Sequence, residues 1–326
     1  MQQVAPVQLT LWDLGPDMAS IREASLALKR CRRAPATQRA YAADWRAFES
    51  WCASAGRAAL PASADTLSLH VTARLSAGLR TGTARRLVAA VAYCHREAGL
   101  PVPDRSEALA VIAGARRQRK EQPVRKAALS AADVRRICVR LCKLGTAGAA
   151  RDRALLTLGF ASALRRSNLV RLDLADVRFV PRKGVVVAVQ SSKTDQEGRG
   201  RLIGVYAGVR EETCPVLALR AWLSVRGDVP GPLFCRVRAG DVATLERLGG
   251  EAVNRLVQGW VSMIGLDGRL YGGHSLRAGF VTAAHNEHAD TLAIMAVTGH
   301  RSVEMVRKYL RNADPFAASN PLARAL

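Results

Sequence analysis

Residues 272–310 read GGHSLRAGFVTAAHNEHADTLAIMAVTGHRSVEMVRKYL. His274 and Arg277 lie three residues apart, so a helix over this part of the chain presents both side chains on one face of its first turn. Two histidines, an arginine and a tyrosine occur in this stretch at spacings that packed helices could bring to a single point. The first part of this stretch is therefore a candidate site.

The second part of the same stretch supplies a further histidine and a tyrosine. Gly299 closes an apolar segment, as a glycine commonly closes a helix, and His300 follows directly in a turn. Ser302 can cap a new helix whose apolar residues recur at helical spacing and face inward. Tyr309 lies near the end of that helix. We therefore expect packed helices to bring together His274, Arg277, His300 and Tyr309.

These motifs resemble the C-terminal catalytic box of the tyrosine recombinases, the family of phage integrases and Cre-type resolvases. The family order is His-x-x-Arg, then Gly-His, then a tyrosine nucleophile nine residues after that histidine. HSLR at 274–277, GH at 299–300 and Tyr309 follow this order and spacing. The resemblance implies a catalytic domain of the α+β class, mainly α with a small antiparallel sheet, preceded by an all-helical core-binding domain.

The segment ALRRSNL at 163–169 is similar to the family segment Gly-Leu-Arg-x-Ser-Glu-Leu. The resemblance places the first catalytic arginine at Arg165, and Arg166 is the competing assignment. Ala163 stands where glycine is usual in the family. Asn168 replaces an acid that supports the family's active site without doing the chemistry.

The motif SKT at 192–194 lies in a polar loop between two predicted strands. It resembles the family's β-hairpin whose lysine reaches the scissile step, so Lys193 is the implied residue here. A loop lysine is otherwise usually solvated surface. Its combination with the other motifs is what singles it out.

The resemblance also implies a reaction. Tyr309 attacks the phosphorus of a DNA phosphodiester and forms a 3′-phosphotyrosyl link with a free 5′ hydroxyl, which needs no metal and no cofactor. Arg165 and Arg277 hold the phosphate, because a planar guanidinium binds two oxygens at once. The other implied roles are a base or proton relay for His274, a hydrogen bond to the phosphate for His300, and the acid for Lys193.

The implied partners are a double-stranded DNA recombination site and three further copies of the chain in a homotetramer on DNA. Two alternatives remain. One is a type IB topoisomerase-like enzyme, which relaxes DNA by similar chemistry as a monomer; the helical N-terminal domain argues against it. The other is a catalytically idle DNA-binding relative, which the complete set of functional groups disfavours.

The charge of the chain also favours a nucleic acid partner. Its 326 residues include 49 Lys and Arg against 27 Asp and Glu, a formal net charge of +22. The excess is spread over both halves, which suits a protein that encloses a polyanion. A GC-rich genome that favours Arg and Ala codons is the alternative explanation.

Other features concern the cellular location. No stretch approaches the roughly 18 apolar residues of a membrane span, and the N-terminus carries acids rather than a basic signal region. Seven scattered cysteines, set mostly among apolar residues, indicate free thiols in a reducing compartment rather than a metal site. We expect no membrane partner and a location in the bacterial cytoplasm or nucleoid.

Periodicity and composition divide the chain. We expect a flexible leader (1–18), a helical core-binding, DNA-binding domain (19–115), a basic linker (116–128), a catalytic domain (129–313) and an apolar tail for subunit packing (314–326). Helices are predicted over 21–33, 36–55, 64–77, 81–98, 105–117, 131–142, 149–163, 214–226 and 250–264. Strands are predicted over 176–180, 184–189, 201–205 and 232–237.

Several polar residues before the catalytic domain are candidate DNA contacts. Hydroxyls and arginines gather at a predicted helix start, a common way to hold phosphates, although a capped helix with solvated arginines explains the pattern equally well. The linker cations can follow a DNA backbone, although such a run is usually solvated surface. The candidates are Arg39, Thr81, Thr83, Arg85, Arg86, Arg116, Arg117, Arg119 and Lys120.

Overall fold

A computed structural model describes residues 17–31, 33–122, 126–190 and 200–310. The chain divides into two compact units, Met1–Pro123 and Val124–Leu326. Most of the predicted leader, the predicted tail and Lys193 lie outside the described residues. Within the described ranges, no helix combines the length and the apolar character that a membrane crossing requires.

The described part of the first unit is helical. It contains α1 (Met18–Cys31), α2 (Pro35–Ser54), α3 (Ala64–Ser76), α4 (Thr81–Glu97) and α5 (Ser106–Gln118), so the five predicted helices are confirmed. Local signals set their starts: a proline opens α2, and the Ser63 hydroxyl accepts a hydrogen bond from the Thr66 N–H to cap α3. Phe48, Leu67 and Ile112 are fully buried in the core.

The segment between the units is shorter than the predicted linker of residues 116–128. α5 continues through Arg116 and Arg117, since basic residues suit the last turn of a helix. After the junction at Pro123, the chain is already bonded to the second unit: the Ala127 N–H donates to the Leu270 carbonyl at 2.8 Å. Both ends of the predicted linker therefore belong to folded units.

The second unit surrounds a buried helix. Its helices are α6 (Ala131–Leu144), α7 (Ala147–Ala161), α8 (Arg166–Leu169), α9 (Pro215–Arg226), α10 (Gly250–Met263), α11 (Gly273–Asn286), α12 (Thr291–Thr298) and α13 (Val303–Leu310). The Thr146 hydroxyl caps α7, and most residues of α7 are buried, as predicted from its apolar sequence. α7 packs against α6, α9 and α11.

Two small antiparallel sheets complete this unit. β1 (Val177–Val180), β2 (Gly184–Val189) and β3 (Arg201–Tyr206) form one sheet in that order, with Val187 opposite both Val177 and Ile203. β4 (Cys235–Arg238) pairs with β5 (Val242–Arg247). The strand predicted over 232–237 begins three residues too early. β5 was not predicted, because its mostly exposed residues lack an apolar alternation.

Close packing sets the position of α11. At Gly279 an added Cβ would lie 2.0 Å from the Leu129 carbonyl oxygen, and at Gly159 in α7 it would lie 2.9 Å from Leu276 Cδ1. No larger residue fits at Gly279 without a backbone shift. This contact fixes the rotation of α11 about its axis and therefore the direction in which Arg277 points.

Candidate active site

Four of the six predicted catalytic residues line one cleft, and a fifth, Arg277, contacts one of them from below the surface. The Tyr309 hydroxyl lies 3.0 Å from His274 Nε2. The Tyr309 ring centroid is 5.5 Å from that of His274 and 5.3 Å from that of His300. Arg165 lines the same cleft, which has a volume of about 760 Å³. The sixth residue, Lys193, lies outside the described residues.

Arg277 is buried behind His300, which lines this cleft, and 1% of its surface is exposed. Its Nη1 donates to the Ala163 carbonyl at 2.7 Å, and its Nη2 lies 2.8 Å from His300 Nε2. Because a guanidinium only donates, His300 Nε2 is the acceptor, and the proton on Nδ1 points to Thr298 Oγ1 at 2.9 Å. His300 therefore orients Arg277 here, whereas the resemblance implied a donor to the phosphate.

A second feature of Arg277 is its buried Nε donor. Its Nε is buried and has no hydrogen-bond partner among the described residues. A buried donor without a partner is costly, because it has lost its water without replacement.

The electrostatics of the cleft keep both histidine rings neutral. Burial lowers the pKa of His274, and Arg277 and Arg165 lower it further. Burial and then the charge of Arg277 lower the pKa of His300 to about 4. A neutral His274 can accept the Tyr309 proton through Nε2, as a general base requires.

The cleft distinguishes between the two candidate arginines. Arg165 faces the cleft, whereas Arg166 Nη1 lies 3.3 Å from Glu251 Oε2 and its side chain packs beside Gly273. Adjacent residues at the start of a helix project in different directions. The geometry therefore favours the assignment of Arg165.

The two departures from the family pattern lie beside Arg165. Ala163 is fully buried and has a φ of +49°, the left-handed region in which glycine is favoured. Asn168 is also buried; its backbone N–H donates to the Arg165 carbonyl at 2.8 Å, and its side-chain Oδ1 lies 3.5 Å from the Ser167 hydroxyl. Both residues thus lie in the turn that carries Arg165, and the hydrogen bond of Asn168 to the Arg165 carbonyl is made by the backbone, independently of its side chain.

Two basic residues near the site were not predicted from the sequence. Arg201, the first residue of β3, has its pKa lowered to about 10 by burial and by the charges of Arg277 and Arg165. Lys126 lines the cleft and its Nζ donates to the Arg269 carbonyl at 2.6 Å. Their only sequence signal was position: Arg201 follows the polar hairpin loop, and Lys126 ends the basic run.

In the first unit, a cavity of about 340 Å³ brings together four of the predicted DNA contacts, Thr81, Thr83, Arg85 and Arg116. Glu121 also lines it, and its Oε2 accepts a hydrogen bond from the Thr81 N–H at 3.0 Å. The start of α4 is therefore capped by a carboxylate from a distant part of the unit. The sequence pattern had suggested either a phosphate or a local hydroxyl cap.

Other predicted contacts are engaged within the first unit. Arg86 forms two hydrogen bonds with the Asp44 carboxylate, at 2.7 and 3.0 Å. Arg119 donates to the carbonyls of Leu79 and Leu75. These two side chains stabilise packing between helices. The exposed residues Arg39, Arg117 and Lys120 face solvent.

Comparisons with known proteins identify the family of this chain. The model of the phage integrase family matches residues 127–315. An integrase/recombinase XerD homolog of Selenomonas ruminantium is 34% identical over 305 residues, covering 89% of this chain and 87% of the relative. Recombinase Cre of Escherichia phage P1 is 25% identical over 288 residues, 82% of each chain.

Solved structures share the fold. A lambda integrase fragment, solved as a dimer bound to a core site, superposes with a TM-score of 0.61 at 16% identity, covering 91% of this chain and 96% of the fragment. The chain thus belongs to the phage integrase family, as the motifs indicated. It is a tyrosine recombinase, an enzyme that transfers DNA strands.

Proposed function

We propose that this recombinase cleaves and rejoins double-stranded DNA at a specific site through a 3′-phosphotyrosyl intermediate. The observation that carries the proposal is the 3.0 Å contact between the Tyr309 hydroxyl and His274 Nε2, in a cleft that Arg165 also lines and that Arg277 adjoins through His300. A phenol attacks phosphorus only if its proton is taken up, and the phosphate charge needs stabilisation. The cleft supplies both.

In the proposed reaction, the Tyr309 oxygen attacks phosphorus while its proton passes to His274. The bond from phosphorus to the 5′ oxygen breaks, and that oxygen takes up a proton, for which Lys193 is the candidate donor. Arg165 and Arg277 bind the non-bridging oxygens as charge builds up on them. A 5′ hydroxyl of another strand then reverses these steps and displaces the tyrosine, so no energy-rich cofactor enters.

We place the DNA backbone against basic and hydroxyl-bearing residues of both units. In the first unit, Thr81, Thr83, Arg85 and Arg116 line one cavity, and Arg39, Arg117 and Lys120 are exposed. Arg86 and Arg119 act indirectly, by holding the helices that carry these residues. In the second unit, Lys126 adds a cation to the active-site cleft.

We also propose a homotetramer on DNA, in which the tail of residues 314–326 packs onto a neighbouring copy. The tail lies outside the described residues and carries Pro321, Leu322 and Leu326. A largely apolar groove of about 920 Å³ on the second unit, lined by side chains that include Phe160 and Phe280, is large enough to accept such a segment.

We further propose that the enzyme acts in the bacterial cytoplasm or nucleoid, where its DNA substrate lies.

A nicked duplex tests the reaction. The target sequence is first selected from a random duplex library, and a nick near the scissile phosphate then traps the covalent protein by releasing a short strand. Wild type should form the covalent complex and Tyr309→Phe should not, although both bind the DNA. A complex that persists in Tyr309→Phe would contradict the assignment of the nucleophile.

Two further measurements separate the alternatives. Exchange between two marked sites supports a recombinase, whereas relaxation of supercoiled DNA without exchange supports a topoisomerase-like enzyme. Deletion of residues 317–326 should weaken assembly on paired sites more than binding to a single site. An unchanged assembly would contradict the proposed tail contact.

A further inference from the structure

Arg201 caps the end of a helix that leads into the active site. Its Nη1 donates to the Val297 carbonyl at 2.8 Å and to the Ala296 carbonyl at 3.3 Å. Both carbonyls belong to the last turn of α12, where backbone acceptors lack helical partners and the helix dipole attracts a cation. The guanidinium satisfies these acceptors although it lies nearly 100 residues away in the chain.

Gly299 makes this approach possible. Its φ is +66°, and an added Cβ would lie 2.7 Å from Arg201 Nη1. Its N–H donates to the Met295 carbonyl at 2.7 Å, so the turn that ends α12 is closed on the backbone side as well. Arg201 and the glycine turn therefore fit together as one unit, and His300 is the next residue.

The position of the His300 ring depends on the end of α12 and in turn affects the position of the Arg277 guanidinium. Thr298, the last residue of α12, holds His300 Nδ1, and His300 Nε2 accepts from Arg277 Nη2 at 2.8 Å. A shift of the α12 end would move the ring and with it the guanidinium. The contacts thus form a continuous series from Arg201 to Arg277.

The charges near Arg201 give it a second connection to the site. Burial is the main cause of its lowered pKa, and the charges of Arg277 and Arg165 come next. Three guanidiniums close enough to influence one another repel, and a bound phosphate relieves that repulsion. Arg201 is therefore connected to the site in two ways, by its charge and by its hydrogen bonds to α12.

We propose that Arg201 is a positioning residue for DNA cleavage: by capping α12 it fixes the Gly299–His300 turn and thereby directs Arg277 at the scissile phosphate. The inference rests on the proposed function of the site. Arg201 also begins the strand that follows the loop of Lys193, so an effect through the leaving-group acid is the rival explanation that the experiment must separate.

The experiment uses the full chain and the nicked duplex. Arg201→Ala should slow formation of the covalent complex by roughly 10²-fold, as expected for a misplaced catalytic group, while DNA affinity changes by less than about threefold. Arg201→Lys should be slowed less, because an ammonium can also donate to terminal carbonyls. On a logarithmic scale, it should regain at least about a third of the rate that Arg201→Ala loses.

Arg226 provides the matched control. It is a buried arginine that also donates to backbone carbonyls, those of Pro232, Gly227 and Val229, and it does not line the cleft. Arg226→Ala should lower stability but leave the cleavage rate per folded molecule unchanged. If Arg226→Ala lost as much cleavage rate as Arg201→Ala, the effect of Arg201 would be explained by a general loss of stability. That result would overturn the proposal.

A substrate with sulfur in place of the bridging 5′ oxygen distinguishes the two routes, because a thiolate leaves without a proton. Arg201→Ala should still slow formation of the covalent complex on this substrate. When His300 is already replaced by alanine, adding Arg201→Ala should slow the reaction by only about twofold. The positioning role would be overturned if the sulfur substrate fully restored the cleavage rate of Arg201→Ala. It would also be overturned if the rate losses of Arg201→Ala and His300→Ala simply added up in the double variant. A wild type that forms no covalent complex would instead overturn the proposed function and this inference with it.

Discussion

Arg277 Nη2 and His300 Nε2 lie 2.8 Å apart, and this contact requires an unprotonated ring nitrogen, because both groups cannot donate. The pKa of His300, lowered to about 4 by burial and by the neighbouring arginines, is consistent with that state at neutral pH. The ring therefore serves as the acceptor that orients a buried guanidinium.

We expect substitutions of His300 to follow their ability to accept a hydrogen bond. His300→Ala should slow covalent-complex formation by roughly 10²-fold, and His300→Gln should lose less, because an amide oxygen can accept from Arg277. Single-turnover assays on the nicked duplex measure both, with DNA affinity as the control. Equal rates for the two variants would contradict the acceptor role.

Cleavage should depend on pH through His274. Because its pKa is lowered from the ordinary value near 6.5, the ring stays neutral and able to accept the Tyr309 proton at pH 7. The rate should hold down to about pH 6.5 and fall on further acidification. His274→Gln should be slow and lose this dependence. A wild-type rate that falls already between pH 8 and 7 would contradict the prediction.

Replacements of Ala163 should reveal its left-handed backbone. Ala163→Gly should change the free energy of unfolding by less than about 1 kcal/mol, because relief of the φ of +49° offsets the lost buried methyl group. Ala154→Gly, at an equally buried position inside α7, should cost about 2 kcal/mol. Denaturant unfolding compares them, and equal losses would argue against strain at Ala163.

Ala163→Val probes the same position in the other direction. A β-branched residue disfavours the left-handed region and overfills the buried site, so stability should fall by about 2 kcal/mol or more. Cleavage per folded molecule should fall as well, because the Ala163 carbonyl accepts a hydrogen bond from Arg277. Unchanged cleavage would show that this carbonyl does not position Arg277.

His70 in the first unit should make stability depend on pH. The ring is fully buried between Phe48 and Trp51, neither nitrogen has a partner among the described residues, and burial lowers its pKa to about 4. Protonation of the unfolded chain below about pH 6.5 then removes stability, by about 3 kcal/mol as pH falls to about 4.

The variant His70→Leu tests this. It removes the buried ring nitrogens, so it should raise stability by about 1 kcal/mol at pH 7 and flatten the loss between pH 6.5 and 4. Urea unfolding followed by tryptophan fluorescence at several pH values measures both effects. A variant with the wild-type pH dependence would assign that dependence to other groups.

Local patterns in the sequence predicted most of the helices, and the resemblance to a known family singled out the catalytic residues at the cleft. Helical periodicity and capping residues act over a few positions, so α2 to α5 were predicted nearly to their ends. The order His274, Arg277, His300 and Tyr309 was readable because each residue sits at a fixed spacing within one continuous stretch.

Tertiary structure decided the features that depend on distant contacts. Arg201 reaches the end of α12, Arg86 pairs with Asp44, and Glu121 caps α4 across the first unit. Whether an arginine meets DNA, a carboxylate or a backbone carbonyl depends on which elements pack beside it, and no local pattern encodes that. The preference for Arg165 over Arg166 has the same cause: neighbouring side chains point apart, and only packing determines which one faces the cleft.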